Sequence, residues 1–341
     1  MSTGRAIIMS VLALALLACP GLPTGPPSAA TKALKSAVWI RSGSAAPFER
    51  VDAALAYDPD RQRLVMFGGF IEPNGASADM QEWDGTQWTQ VGVDGTAPPP
   101  RSCGGMAYDS LHHQMVLFGG EGPTGDVGYL NDTWTWDGTT WTQMHPMISP
   151  TARCAPLVFD SLRGRVVLFG GEAATNTVFF GDTWEWDGSQ WTLAMPVASP
   201  GERSLHGLAF DSARNRTVLF GGYLYNGSMD ESFNDTWEYD GTTWTRRFSP
   251  VNPSARWAHG MAFDADLGVT IVFGGYSPNG TVYDTADTWA WDGNEWASLT
   301  TGPAPPADAD FALAFDAAPA ALILFGGLTT NDSETWMLVR R

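Results

Sequence analysis

Apolar positions along the chain fall in short runs bounded by turn residues, and the same set of runs returns at nearly constant intervals. The second copy shows it most clearly, with residues 105–109 (GMAYD), 114–120 (QMVLFGG), 131–136 (NDTWTW) and 140–142 (TWT). Runs this short, aromatic or β-branched in composition, predict four strands per copy. A Gly-Gly pair closes the second run at Gly68-Gly69, Gly119-Gly120, Gly170-Gly171, Gly221-Gly222, Gly274-Gly275 and Gly326-Gly327, at spacings of 51, 51, 51, 53 and 52 residues. Self-similarity at one fixed period marks a repeat architecture and takes precedence over any local reading. Asp-Gly separates the third and fourth runs at Asp84-Gly85, Asp137-Gly138, Asp187-Gly188, Asp240-Gly241 and Asp292-Gly293. That dipeptide suits the positive φ angles of a tight hairpin, so adjacent strands are antiparallel. Linkers between copies carry proline, as at Pro98-Pro99-Pro100 and Pro253, where a missing N–H does no harm.

The ends of the array are out of phase with it. Only five residues follow Trp336, too few for a fourth strand in the sixth copy, whereas residues 37–40 (AVWI) form an unmatched fourth strand at the start. Trp39 stands 11 residues before Arg50, close to the 12 or 13 that separate Trp88 from Arg101, Trp141 from Arg153, Trp191 from Arg203 and Trp244 from Arg256. The N-terminal strand is therefore expected to complete the last copy. Upstream, residues 1–18 carry one positive charge, Arg5, before an apolar run at 6–18 that is too short to span a bilayer, the pattern of a signal peptide. Its end, 16–19 (LLAC), resembles the bacterial lipobox, which implies lipidation at Cys19. Cleavage near 29–30 would instead release a soluble chain. Residues 19–33 read as a tether, and residues 34–341 as the repeat domain.

A four-stranded repeat of about 50 residues, with Gly-Gly after the second strand and tryptophan in the third and fourth, resembles the kelch motif. The resemblance covers residues 36–341 and implies an all-β fold, a six-bladed β-propeller of four antiparallel strands per blade, related to the galactose oxidase type.

Composition narrows the function. Nineteen Lys plus Arg against 37 Asp plus Glu leave a net charge of −18, which repels nucleic acid and anionic lipid and leaves a lipid anchor as the only expected contact with a membrane. Fifteen of the 16 tryptophans occupy repeat positions, which assigns them to packing between blades; the exception is Trp257. Arg50, Arg101, Arg153, Arg203 and Arg256 also repeat, and either line a channel or pair with the repeated Asp132, Asp182, Asp235 and Asp287. Catalytic signatures are absent from the sequence: it has no HExxH or CxxC metal spacing, no phosphate loop and no nucleophile elbow. No catalytic residue, cofactor or metal is therefore assigned. His206 and His259 match a histidine found early in kelch repeats and read as structural.

Alternating strand directions bring the loops from fourth to first strand and from second to third strand to one face, and these loops vary between copies. They hold five of the eight tyrosines and many carboxylates, Glu72, Glu121, Asp126, Glu172, Asp230, Glu231 and Asp284 among them. The expected ligand-binding residues are Trp257, Tyr223, Tyr225, Tyr276, Tyr283 and Arg256, an aromatic rim suited to a protein or glycan ligand. Cys103 and Cys154 occupy equivalent positions, read as lying on the inner strands of adjacent blades, and are either a disulfide or two buried thiols. The function expected is a non-enzymatic binding or scaffold module outside the cytoplasm, anchored by lipid or secreted. The alternative is a carbohydrate-active enzyme, mutarotase-like or oxidase-like, on the same wheel.

Overall fold

The computed structural model describes residues 28–45, 50–92, 96–123, 128–173, 178–225, 227–278, 285–299, 302–317, 320–327 and 334–340. Six four-stranded antiparallel sheets radiate from one axis. Blade one contains Ala54–Asp58, Arg63–Phe67, Met80–Trp83 and Trp88–Val91; blade two Gly105–Asp109, Gln114–Glu121, Tyr129–Trp136 and Trp141–Met144. Blade three contains Leu157–Asp160, Arg165–Ala173, Val178–Trp186 and Trp191–Ala194; blade four Gly207–Asp211, Arg216–Phe220, Thr236–Tyr239 and Trp244–Arg247. Blade five contains Gly260–Asp264, Val269–Phe273, Thr288–Trp291 and Trp296–Leu299. Blade six is Ala312–Asp316, Ala321–Phe325 and Glu334–Arg340, and its outer strand is the N-terminal Ala37–Ala45, so the ring closes as the sequence predicts. The innermost strands touch in an unbroken cycle from blade one through blade six and back.

Each second strand reads as a continuous apolar run because neighbouring blades cover both of its faces; Leu64, Val65, Met66 and Phe67 are all fully buried. The outer tryptophans latch blade to blade. The indole N–H of Trp39, Trp88, Trp191, Trp244 and Trp296 donates to the third-strand threonine of the preceding blade, Thr288, Thr335, Thr133, Thr183 and Thr236 respectively, at 2.9–3.0 Å. Trp141 faces Met80 instead, and its indole nitrogen is buried without a partner.

The Gly-Gly pair has a cause that repeats with it. Both glycines hold positive φ, 63° and 104° at Gly119 and Gly120, and a Cβ on Gly119 would overlap the carbonyl oxygen of Arg153 in the next blade. The second glycine then donates to that carbonyl, as in Gly120 N to Arg153 O at 2.9 Å. The same overlap of Gly326 with the Arg50 carbonyl joins blade six to blade one.

The folded region begins before residue 34. Residues Ala29–Lys35, the first five of which fall within the expected 19–33 tether, form a helix capped by Ser28, whose Oγ accepts from Thr31 N at 3.1 Å. Ala30, Ala33 and Leu34 bury against Val269, Ile271 and Ala290 of blade five, and Ala30 N donates to Asp292 at 3.2 Å. A seven-residue helix carries too little periodicity to be read from sequence.

Candidate functional site at the loop end of the channel

The two ends of the central channel differ in kind. At the end formed by the hairpins between first and second strands, the residue before the repeated aspartate is aromatic in every blade, Tyr57, Tyr108, Phe159, Phe210, Phe263 and Phe315. These rings line an apolar cavity of about 360 Å³. Sixfold repetition assigns that ring to the architecture. The opposite end, where the variable loops converge, has a cavity of about 200 Å³ whose lining changes from blade to blade.

The repeated arginines frame this end without facing it. Each threads beneath its own Gly-Gly turn, and four grip the repeated aspartate two residues before a third-strand tryptophan: Arg101 pairs with Asp132 at 2.8 Å, Arg153 with Asp182 at 2.5 Å, Arg203 with Asp235 at 2.6 Å and Arg256 with Asp287 at 2.6 Å. The arginine holds Asp132, Asp235 and Asp287 below the usual carboxylate range despite their burial. Arg256 corrects the sequence reading. It is fully buried, and its donors go to the carbonyl oxygens of Ser254 and Gly274, the hydroxyls of Ser254 and Thr285, and both oxygens of Asp287, leaving none for a ligand. Phe180 and Phe233 likewise serve the frame, stacked against the guanidinium groups of Arg153 and Arg203 at 3.6 and 4.1 Å.

What faces the opening is set by two positions per blade, the residue after the arginine and the residue after Gly-Gly, which bridge each other at Val51–Phe70, Ser102–Glu121, Cys154–Glu172, Ser204–Tyr223 and Trp257–Tyr276. Blade one is apolar there, blades two and three are acidic, and blades four and five are aromatic. The aromatic part is continuous. Phe179, Tyr223, Trp257 and Tyr276 follow one another with centroid separations of 6.0, 5.2 and 5.7 Å, the last pair stacked at 29°. Tyr223, Trp257 and Tyr276 are thus brought together in one stack. The Tyr223 hydroxyl donates to Asp230 at 2.5 Å, and burial together with this bond pushes its pKa up to about 12. Tyr225 stands on the exposed hairpin Tyr223–Tyr225/Asp230–Ser232, beyond the stack. Tyr283 and Cys19 lie outside the described residues, as do Asp126 and Asp284.

Asp52, two residues after Arg50, joins the acidic part; its position holds Cys103, Ala155, Leu205 and Ala258 in blades two to five and an aspartate again only at Asp310, too little repetition for sequence reasoning to use. Burial, then the charges of Glu172 and Glu121, push its carboxyl up to about 6. Glu172 is raised by burial and by Glu121, and accepts from Ser204 Oγ at 3.0 Å. His206 and His259 border the same cavity. Each packs edge-on against the phenylalanine of the preceding blade, Phe169 or Phe220, at 5.6 Å. Burial and the adjacent Arg203 or Arg256 push both imidazoles down to about 3, so they are neutral at physiological pH.

A chain of backbone hydrogen bonds circles this mouth. Cys103 N donates to Asp52 O, Asp52 N to Asp310 O, Asp310 N to Ala258 O and Ala258 N to Leu205 O, at 2.8–3.1 Å. All five residues have positive φ. Blade three breaks the chain: Pro156 restrains Ala155 to an extended backbone, and among the described residues no such bond links residue 155 to either neighbour. At this gap a disulfide joins Cys103 to Cys154, with Cα atoms 5.3 Å apart. The cysteines sit in the loops leading into the innermost strands, not on those strands.

Comparison with known sequences agrees with this geometry. The family model described as the KLHDC2/KLHL20/DRC7 Kelch-repeats domain matches residues 33–192 and 158–338. Over 115 residues the chain is 32% identical to a protein of Chlamydomonas reinhardtii named Dynein regulatory complex subunit 7. That match covers 32% of this chain and 10% of the relative, so it concerns about a tenth of that protein's length.

Proposed function

This chain belongs to the kelch-repeat family, and from that premise we propose that it is a binding module whose loop face holds a protein partner outside the cytoplasm. The observation that carries the reading is the stack of Tyr223, Trp257 and Tyr276 across blades four and five. Trp257 is the tryptophan that no blade needs for packing, and it lies at the centre of that stack. Partly exposed aromatic side chains with few rotatable bonds are the residues on which interfaces concentrate binding energy. The name of the similar Chlamydomonas protein describes a subunit of a complex, which accords with a protein ligand. Capture of partners on the immobilised domain, with a glycan array in parallel, tests this. A bound protein lost on Trp257→Ala supports it; binding to glycans alone overturns it.

Two observations support the compartment. The disulfide suits an oxidising environment. The helix capped by Ser28 packs on blade five, so cleavage before Cys19 would leave it whole whereas cleavage near 29–30 would cut it. Intact mass of the native mature protein decides: lipidated Cys19 at the N-terminus is the expected result, and an unmodified start between residues 28 and 31 contradicts it.

A further inference from the structure

The cavity at the loop end is acidic without compensation. Asp52, Glu172 and Asp310 line it, Glu121 acts on the first two from a neighbouring loop, and no lysine or arginine is among the lining residues, because the arginines are spent beneath the Gly-Gly turns. Such a grouping of carboxylates alone has no necessary ligand. A second observation points to one. Blade six places Phe311 at the position of His206 and His259, three residues after the head of the loop, and Phe311 packs on Phe273 at 5.5 Å as the histidines pack on their phenylalanines. Blades one to three carry Ala53, Gly104 and Pro156 there, so packing at this position uses a ring in blades four to six and requires a nitrogen in none. Yet His259 is 93% buried, borders the cavity, and has no hydrogen-bond partner on either ring nitrogen. An imidazole with both nitrogens unused beside a cavity that carboxylates line is an unanswered hydrogen-bonding group.

We propose that this cavity receives one guanidinium group, an arginine side chain of the protein partner, between the carboxylates of Asp52 and Glu172. The inference deepens the reading of the loop end as the binding face and rests on it. Three features select the ligand. The carboxylates come from separate blades, and among the described residues no three acidic, histidine or cysteine side chains converge closely enough to hold a metal ion. Guanidinium is planar, presents five donors and bridges separate carboxylates, which a compact ammonium does less well. At about 200 Å³ the cavity is smaller than the roughly 300–1,000 Å³ of sites for drug-sized ligands, and suits a single side chain. The aromatic stack adjoins the acidic part through the Ser204–Tyr223 bridge, with Glu172 near enough to act on Tyr223, so residues flanking the arginine would run over Tyr223 and Trp257.

The test is a titration of the whole domain with the amidated, acetylated tripeptide Gly-Arg-Gly, followed by NMR of the Trp257 indole and His259 imidazole. Peptides carrying citrulline or lysine in place of arginine, and Ca²⁺ alone, are the other arms. The expected result is a saturable shift with the arginine peptide, weaker by at least about tenfold with citrulline, the loss appropriate to a charge-assisted contact, and weaker also with lysine. Glu172→Gln and, separately, Asp52→Asn should each weaken the arginine peptide by a similar factor while leaving the amide spectrum of the fold intact. Equal binding of citrulline or lysine, undiminished binding by both variants, no saturable shift, or saturation by Ca²⁺ in place of arginine would each overturn the proposal. Partner capture that still depends on Trp257 would leave the reading of the face standing while this site fails.

Discussion

At the scale of single residues, repetition separates what holds the fold from what faces a ligand. The threonine that receives an outer tryptophan repeats in five blades, and its worth is measurable where the bond exists. Thr183→Val keeps the shape and leaves the Trp244 indole N–H buried without its 3.0 Å acceptor, so a loss of about 1–3 kcal/mol is expected in urea unfolding. Asp52 should show the opposite behaviour. Its folded pKa of about 6 lies above the ordinary value of about 3.9, so the native state holds the proton more tightly than the unfolded chain, and the ionised form is a cost to folding above pH 6. Asp52→Asn, which tolerates the positive φ of 55°, should therefore be more stable than the native chain by about 1–3 kcal/mol at pH 8. The gap should narrow as pH falls through 6 and vanish near 4. Thermal midpoints across that range check it. Higher stability together with lost arginine binding is the pattern of a residue kept for function. The six copies made Trp257 legible because it broke the repeat. They gave no account of Asp52, whose significance depends on Glu121 and Glu172 approaching from two other blades.

At the scale of elements, the strand count and the closing strand were readable because the period is strict and the chain ends are out of phase. Trp39 is fully buried in blade six against Phe273 and bonded to Thr288, so Trp39→Ala should cost about 3–5 kcal/mol. A midpoint of chemical unfolding unchanged by that substitution would contradict closure by the N-terminal strand. The helix Ala29–Lys35 was not readable, since docking on blade five rather than its own pattern holds it. The loops that carry the cysteines pair in adjacent blades for a reason also hidden from the sequence: Pro156 removes the αL residue that continues the circle of backbone bonds elsewhere. The disulfide spans 51 residues, and the Cys103→Ser, Cys154→Ser double variant should lose about 2–4 kcal/mol. Hydrogen exchange should rise first at the amide of Cys103, which stands next to the gap, and then at that of Asp52, the following residue of the circle.

At the scale of the whole molecule, a net charge of −18 draws cationic partners from a distance, and the asymmetry of the channel decides where they are held. One end is lined by the same aromatic position in all six blades, the other by an acidic sector beside an aromatic one. The wheel was legible because every copy states it. The site was legible in its aromatic half and in the loop carboxylates Glu121 and Glu172, but not in Asp52, because the acidic half is assembled from residues about 50 to 70 positions apart whose meeting depends on ring closure. Repetition pointed the right way at Arg256, to its buried pair with Asp287, whereas its place next to Trp257 in sequence wrongly put it among the ligand-binding residues. The central claim is that binding resides at the loop end. The most direct test is the affinity of a captured protein partner for the native domain, for Trp257→Ala and Glu172→Gln, and for Leu162→Ser in an exposed hairpin at the opposite end. The account predicts that the first two weaken binding by more than about 1 kcal/mol each while the third leaves it unchanged; loss with Leu162→Ser and full affinity in the other two would contradict it.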